Sequence, residues 1–210
     1  MAGPARVVTW LIALAVLREV LLAVLDWREC FLVHGVLAGT LPPEDYESFA
    51  SSPFVRAIGS IAAMLGPYLA AGAAFAVWLW RARTNAETIA GAASQRRARG
   101  WVLSGWGAPV VNLWIPYQVV SDVWRASAPR RDTVPHRVRV WWALFLLSGV
   151  VLGPLQGQAV ENVQSEGDLL FAAFLTTLLA LCLGLAGVLA VTIVKDVTEW
   201  QSGRAGEGAR

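Results

Sequence analysis

Four windows of this chain, residues 57–80, 101–121, 140–160 and 169–194, run for 21 to 26 positions without Asp, Glu, Lys or Arg. A helix needs about 20 apolar residues to cross about 30 Å of hydrocarbon. A fifth apolar stretch, residues 7–25, is interrupted only by Arg18 and Glu19. Together the five stretches take up more than half of the 210 residues and leave no room for a separate globular domain. Composition agrees, with 56% hydrophobic and 15% charged residues, where a soluble domain averages about 25% charged. A disordered chain, a basic nucleic-acid-binding domain and a disulfide scaffold are excluded on these grounds. The expected fold is an all-α integral membrane protein.

The first stretch has some character of a secretory leader, with Arg6 preceding an apolar core. Its only nearby small-x-small site, Ala13-Leu14-Ala15, lies inside that core, so a retained first helix is expected. Of the two cysteines, Cys30 is expected just past the first helix and Cys182 deep inside the last, which argues against a bridge.

Orientation follows from the basic residues, which are retained on the cytoplasmic side when they lie in short flanking loops. With the N-terminus inside and residues 101–121 not crossing, fourteen Lys and Arg face the cytoplasm and two, Arg28 and Arg56, face out. If residues 101–121 cross, the split becomes ten against six. The first arrangement is the more asymmetric, and it places both termini in the cytoplasm. It divides the net charge of +2 into +8 inside and −6 outside, with Arg18 and Glu19 cancelling within the membrane. The expectation is therefore four spans, about 7–25, 57–80, 138–159 and 169–194, plus a re-entrant or interfacial cytoplasmic segment over 101–121. A proline inside a helix removes one donor and displaces the carbonyl four residues earlier. Pro109 and Pro116 thus break this segment, and unpaired backbone cannot face lipid. Trp101, Trp106 and Trp114 suit the headgroup level.

Between the spans, Leu41-Pro-Pro-Glu-Asp-Tyr-Glu47 reads as a helix start outside the membrane. Residues 84–99 read as a loosely helical cytoplasmic stretch. A helix is expected from Tyr117, with Tyr117, Val120 and Trp124 on one face and Asp122 paired to Arg125 at i,i+3. Residues 1–200 are expected as one membrane domain and 201–210 as a disordered tail. Small residues at fourfold spacing (Gly149, Gly153 and Gly157; Gly66, Ala70 and Ala74; Ala180 and Gly184) are expected to pack helix on helix within the chain.

Motifs for catalysis, metals or cofactors are missing: there is no HExxH, GxSxG, P-loop or CxxC. His34 and His136 fall on opposite sides and cannot share a metal. No catalytic, cofactor-binding or metal-binding residue is assigned, and no enzymatic activity is expected. Arg18 and Glu19 form the candidate intramembrane polar pair, because ionisable groups inside a span are costly and often functional. Their side chains leave the helix about 100° apart, so each is expected to face a different neighbour, with Arg18 free to snorkel outward.

Two blocks, Trp80-Arg-Ala-Arg-Thr-Asn-Ala-Glu87 and residues 105–127 with the core Pro-x-x-Asn-Leu-Trp-x-Pro-Tyr-Gln, resemble the actinobacterial membrane family known as domain of unknown function 4328. The resemblance extends over most of the chain, from about the first helix to the last. It implies a multi-span protein of a bacterial inner membrane and no assigned activity. The polar residues of these blocks, Arg81, Asn85, Glu87, Asn112, Gln118, Asp122 and Arg125, together with Pro109 and Pro116, form the candidate motif. They are expected to make one hydrogen-bonded layer on the cytoplasmic side. The expected function is a non-enzymatic scaffold or interaction protein whose Arg-rich face meets anionic lipid headgroups and a membrane or cytoplasmic protein partner. The alternative is a small transporter or channel component using residues 101–121 and the Arg18/Glu19 pair. No nucleic acid partner is expected.

Overall fold

The structure, a computed structural model, describes residues 2–107, 110–129 and 136–207. Its helices are α1 (Ala2–Leu37), α2 (Pro43–Ser51), α3 (Pro53–Gly59), α4 (Ile61–Ala90), α5 (Trp101–Gly107), α6 (Ile115–Ser127), α7 (His136–Leu146), α8 (Gly153–Glu161) and α9 (Glu166–Glu207). Short 3-10 turns at Ala92–Ser94 and Val111–Leu113 precede α5 and α6, and a π-helical turn, Leu147–Leu152, joins α7 to α8. Among the described residues there is no strand. Three stretches among them are long and apolar enough to cross a membrane: Gly3–Leu37, His136–Glu161 and Glu166–Arg204. Large apolar side chains on two of them stand outward, as Trp10 (72% exposed), Phe31 (71%) and Val188 (64%) do.

Several boundaries differ from expectation for local physical reasons. The stretch 57–80 is not one helix. It breaks at Ser60, whose hydroxyl donates to the Ala57 carbonyl (2.7 Å) and accepts the Ala63 N–H (3.2 Å), so that it caps α4. The stretch 138–159 is interrupted by the π turn directly before Pro154. Pro154 has no N–H to give to Val150, and a π turn absorbs both the missing donor and the ring clash. The first helix runs to Leu37, so Cys30 lies within it; both cysteines are buried and free. The last helix continues to Glu207, so residues 201–207, expected in a disordered tail, are helical. The helix start near Leu41 is found as α2, with Pro43 in its first turn followed by Glu44 and Asp45.

Two compact units divide the described chain. The first comprises residues 2–12, 69–143 and 186–207. Its buried core includes Trp78, Leu79, Val102, Val119, Val123, Val138, Ile193 and Val194. Phe75 lies at the centre of an aromatic cluster with Trp78, Trp106 and Trp141, at ring separations of 5.3, 6.0 and 5.7 Å. Trp106 therefore holds α5 by packing. In the same unit α5 lies so close to α6 that a Cβ on Gly105 would sit 2.8 Å from Cγ2 of Ile115.

The second unit comprises residues 13–68 and 144–185. Here a Cβ on Gly184 would make ordinary contact with Val16 at 3.8 Å. Trp27 donates to Thr177 (2.9 Å), and His34 Nδ1 lies 2.6 Å from Glu166. The glycine stripe of the third expected span does not pack as expected: no atom lies within 4 Å of a Cβ built on Gly149 or Gly157, and the one near Gly153 is the Ser148 carbonyl of its own helix. Gly66 is open as well.

The contrast between glycines is testable. Gly105→Val should overpack the α5–α6 contact and destabilise the protein by about 1–3 kcal/mol, whereas Gly149→Ala should be neutral or slightly stabilising. Thermal unfolding in detergent measures both; equal midpoints for the two variants would contradict the packing described.

Candidate functional site

The proline-broken segment is held from its own sequence outward. Ile115 and Pro116 occupy the first turn of α6, where the missing proline donor costs nothing because that N–H has no intrahelical partner. The helix then buries a face containing Val119, Val120, Val123 and Trp124, and Asp122 lies on that buried face at 4% exposure. A carboxylate removed from water requires charge-assisted partners. Arg96 supplies them: its backbone N–H donates to Oδ2 at 3.0 Å and its Nε to Oδ1 at 2.8 Å. The expected Asp122–Arg125 pair is not formed. Arg125 is exposed, one turn along on the outer edge of the helix, while the carboxylate points inward to the loop after α4.

The same loop makes further bonds. Arg96 Nη2 donates to the Gln118 carbonyl (3.3 Å), and Arg97 Nε donates to the Gln118 side chain (2.9 Å). Arg83, one turn before the end of the α4 polar block and 2% exposed, donates to Glu87 (3.1 Å) and to the Arg97 carbonyl. Arg99 also pairs with Glu87. The Arg99 guanidinium, with that of Arg83, holds the Glu87 carboxyl below the usual carboxylate range against the opposing effect of burial.

The end of α9 closes the arrangement. Gln201, 3% exposed, donates to the Ala82 carbonyl (2.9 Å) and to the Ser127 hydroxyl (2.7 Å), and its own oxygen accepts from Asn85 (3.3 Å). Arg204 donates to the carbonyls of Ala126 (3.1 Å) and Ala128 (2.8 Å). These lie at the C-terminus of α6, where carbonyls have no intrahelical partner and a cation is favoured. Trp142 on α7 donates to the Leu113 carbonyl at 2.8 Å. Among the described residues, the loop and helix-end carbonyls of Arg97, Leu113, Ala126 and Ala128 are thus each met by a side-chain donor from another element.

Of the motif residues, Asn85, Glu87, Gln118 and Asp122 enter this bonded layer. Arg81 and Arg125 are exposed and stand outside it. Asn112 lies in the 3-10 turn with its Oδ1 buried and unpartnered. Pro109 lies outside the described residues. Sequence reasoning missed Arg83, Arg96, Gln201 and Arg204 as individual members; the cluster of arginines after α4 was visible, but the partners of Arg96 lie 22 and 26 residues away. In the second unit, Arg18 and Glu19 do not face different neighbours. Arg18 Nη1 meets Glu19 Oε1 at 2.5 Å, and Nη2 reaches the Ile58 carbonyl at 3.3 Å. Both residues are buried, at 8% and 2% exposure, so Arg18 does not snorkel.

Two outcomes follow for the layer. Asp122→Ala should destabilise the protein by about 1–3 kcal/mol, since it leaves the Arg96 donors and the α6 face uncompensated, with Arg96 half exposed and able to recover water. Because Glu87 is depressed in the folded state, its contribution is complete above the unfolded carboxylate pKa and is lost as pH falls through the lower folded value. Glu87→Gln should therefore lower the unfolding midpoint at neutral pH and converge with the parent in acid, as measured by thermal unfolding across pH. A constant offset at every pH would contradict the pairing.

Comparison with known proteins returns one finding. Nothing among curated proteins or solved structures matches the chain. The family described as a domain of unknown function (DUF4328) matches residues 41–199, which takes in both motif blocks and α2 through most of α9. The match begins at Leu41, so α1 falls outside it, short of the extent expected from the sequence. Covering well over half of the 210 residues, it places the chain in the DUF4328 family.

Proposed function

We propose that the chain is a four-span protein of a bacterial plasma membrane, with α1, α4, α7–α8 and α9 crossing and both termini in the cytoplasm, and that it acts as a non-enzymatic scaffold. The basic-residue asymmetry, fourteen against two, supports the threading. With seven residues in α5 and thirteen in α6, neither reaches the roughly 20 needed to cross, which supports a segment that enters and leaves on one face.

The observation that carries the scaffold reading is how the charges of the first unit are used. Among the described residues its buried and half-buried acids pair internally, Asp122 with Arg96, Glu87 with Arg83 and Arg99, and Asp196 with Arg137 at 2.9 Å, while Glu199 stands exposed. Arg81 and Arg125 remain exposed. A rigid surface with uncompensated guanidinium groups suits anionic lipid headgroups, at about 1 kcal/mol for each near-surface arginine, and the acidic face of a membrane or cytoplasmic protein. The transporter reading is favoured by one observation only, the buried Arg18–Glu19 pair.

Cysteine labelling tests the threading, with Cys30 and Cys182 buried and giving a low background. A cysteine at exposed Arg125 should react with an impermeant reagent only after cells are permeabilised, and one at exposed Glu47 should react in intact cells. Labelling of Arg125→Cys from outside would overturn the orientation. Replacing Arg81 and Arg125 together by Ala should leave the fold intact and lower the anionic lipid and protein recovered with the purified chain; unchanged recovery would overturn the docking surface.

A further inference from the structure

Charge does not balance along one face of α1. Glu19, Ala23, Asp26 and Cys30 recur at helical spacing, and all are buried or half-buried in the second unit. Arg18 is the cation beside this face, since Arg28 is exposed and set over the Phe49 ring at 5.6 Å, and Glu19 already occupies the Arg18 Nη1 at 2.5 Å. Asp26 takes part in no salt bridge among the described residues and lies against the Thr176 hydroxyl of α9. Thr176 is fully buried and accepts from Gln156 of α8 at 3.3 Å. Glu19 is 2% exposed, and its Oε2 is buried without a hydrogen-bond partner, with the Tyr68 phenol of α4 beside the carboxylate. Glu29, one turn beyond Asp26, accepts from the Tyr46 hydroxyl at 3.3 Å and adds a further negative charge. The groups facing Asp26 are therefore one guanidinium, two other carboxylates, the Cys30 thiol and a neutral hydroxyl.

Two carboxylates with one counter-cation in a poorly solvated site carry an excess charge that desolvation makes unfavourable. Glu19 and Asp26 are two helical turns apart, about 10 Å along the axis, so they influence each other by field and not by contact. We propose that Asp26 and Glu19, with Tyr68 and Thr176 as hydroxyl partners, form a proton-binding site that takes one exchangeable proton for the pair. Asp26, nearer the end of α1 at which Glu29 and Tyr46 lie, holds that proton while Glu19 remains paired to Arg18. None of these residues belongs to the polar layer of the first unit, so this site and the scaffold reading stand or fall separately.

Infrared spectroscopy of the full chain reconstituted in phosphatidylcholine vesicles tests it. At mildly acidic pH, above the range in which exposed carboxylates take up protons, the protein should show a protonated-carboxyl stretching band that shifts in heavy water. Asp26→Asn should remove the band. Glu19→Gln, which takes away the neighbouring negative charge and keeps the side-chain shape, should retain it in acid but make it disappear at a lower pH than in the parent. Glu44→Gln, on exposed α2, should leave the band and its titration unchanged. Absence of the band in the parent, its persistence in Asp26→Asn, or an identical titration in Glu19→Gln would each overturn the proposal.

Discussion

A backbone carbonyl shut away from water must find a donor, and in hydrocarbon the only donors are the protein's own. Regular helices meet this requirement internally, but this chain interrupts its helices repeatedly. In the first unit the loop and helix-end carbonyls of Arg97, Leu113, Ala126 and Ala128 accept from Arg83, Trp142 and Arg204, and Gln201 and Arg96 add side-chain bonds to the Ala82 and Gln118 carbonyls within helices. In the second, Arg18 reaches the Ile58 carbonyl beside the break between α3 and α4. Arginine suits this task because its planar fork of five donors can satisfy a carboxylate and a carbonyl together and never loses its charge. At a net value of about 1 kcal/mol per bond, none of these contacts decides the fold alone; jointly they permit a broken backbone to be buried.

This gives the arginines two roles that the sequence presents as one. Counting them supports an orientation, since basic residues stay on the cytoplasmic face. Their geometry separates them: Arg83, Arg96 and Arg204 bond to backbone or buried acids, while Arg81 and Arg125 remain at the surface. The exposed ones are the ones available to a headgroup or a partner.

Features written in local chemistry were legible. Pro43 with two acids announced α2, and the apolar spacing of Val120 and Trp124 announced the buried face of α6. The shortness of α5 and α6 agrees with the prolines and glycines of that segment. Features decided by distant partners were not legible. Spacing along one helix favoured Arg125 for Asp122, yet the partner is Arg96, because Asp122 lies on the face that packs inward. Gln201 looked like the start of a polar tail, and only the position of α9 beside Ala82 and Ser127 makes it a three-way hydrogen-bonding centre. The glycine stripe at Gly149, Gly153 and Gly157 promised packing, whereas the π turn required by Pro154 accounts for Gly153 without any neighbour.

The central claim is that side-chain donors from outside the broken segment hold its backbone in place. Gln201→Leu preserves bulk and removes both donors and the acceptor that join Ala82, Ser127 and Asn85. Amide hydrogen exchange followed by mass spectrometry should then show faster exchange across residues 115–127 and at the end of α4, with residues 13–37 unchanged. Equal exchange across residues 115–127 in parent and variant would contradict the account.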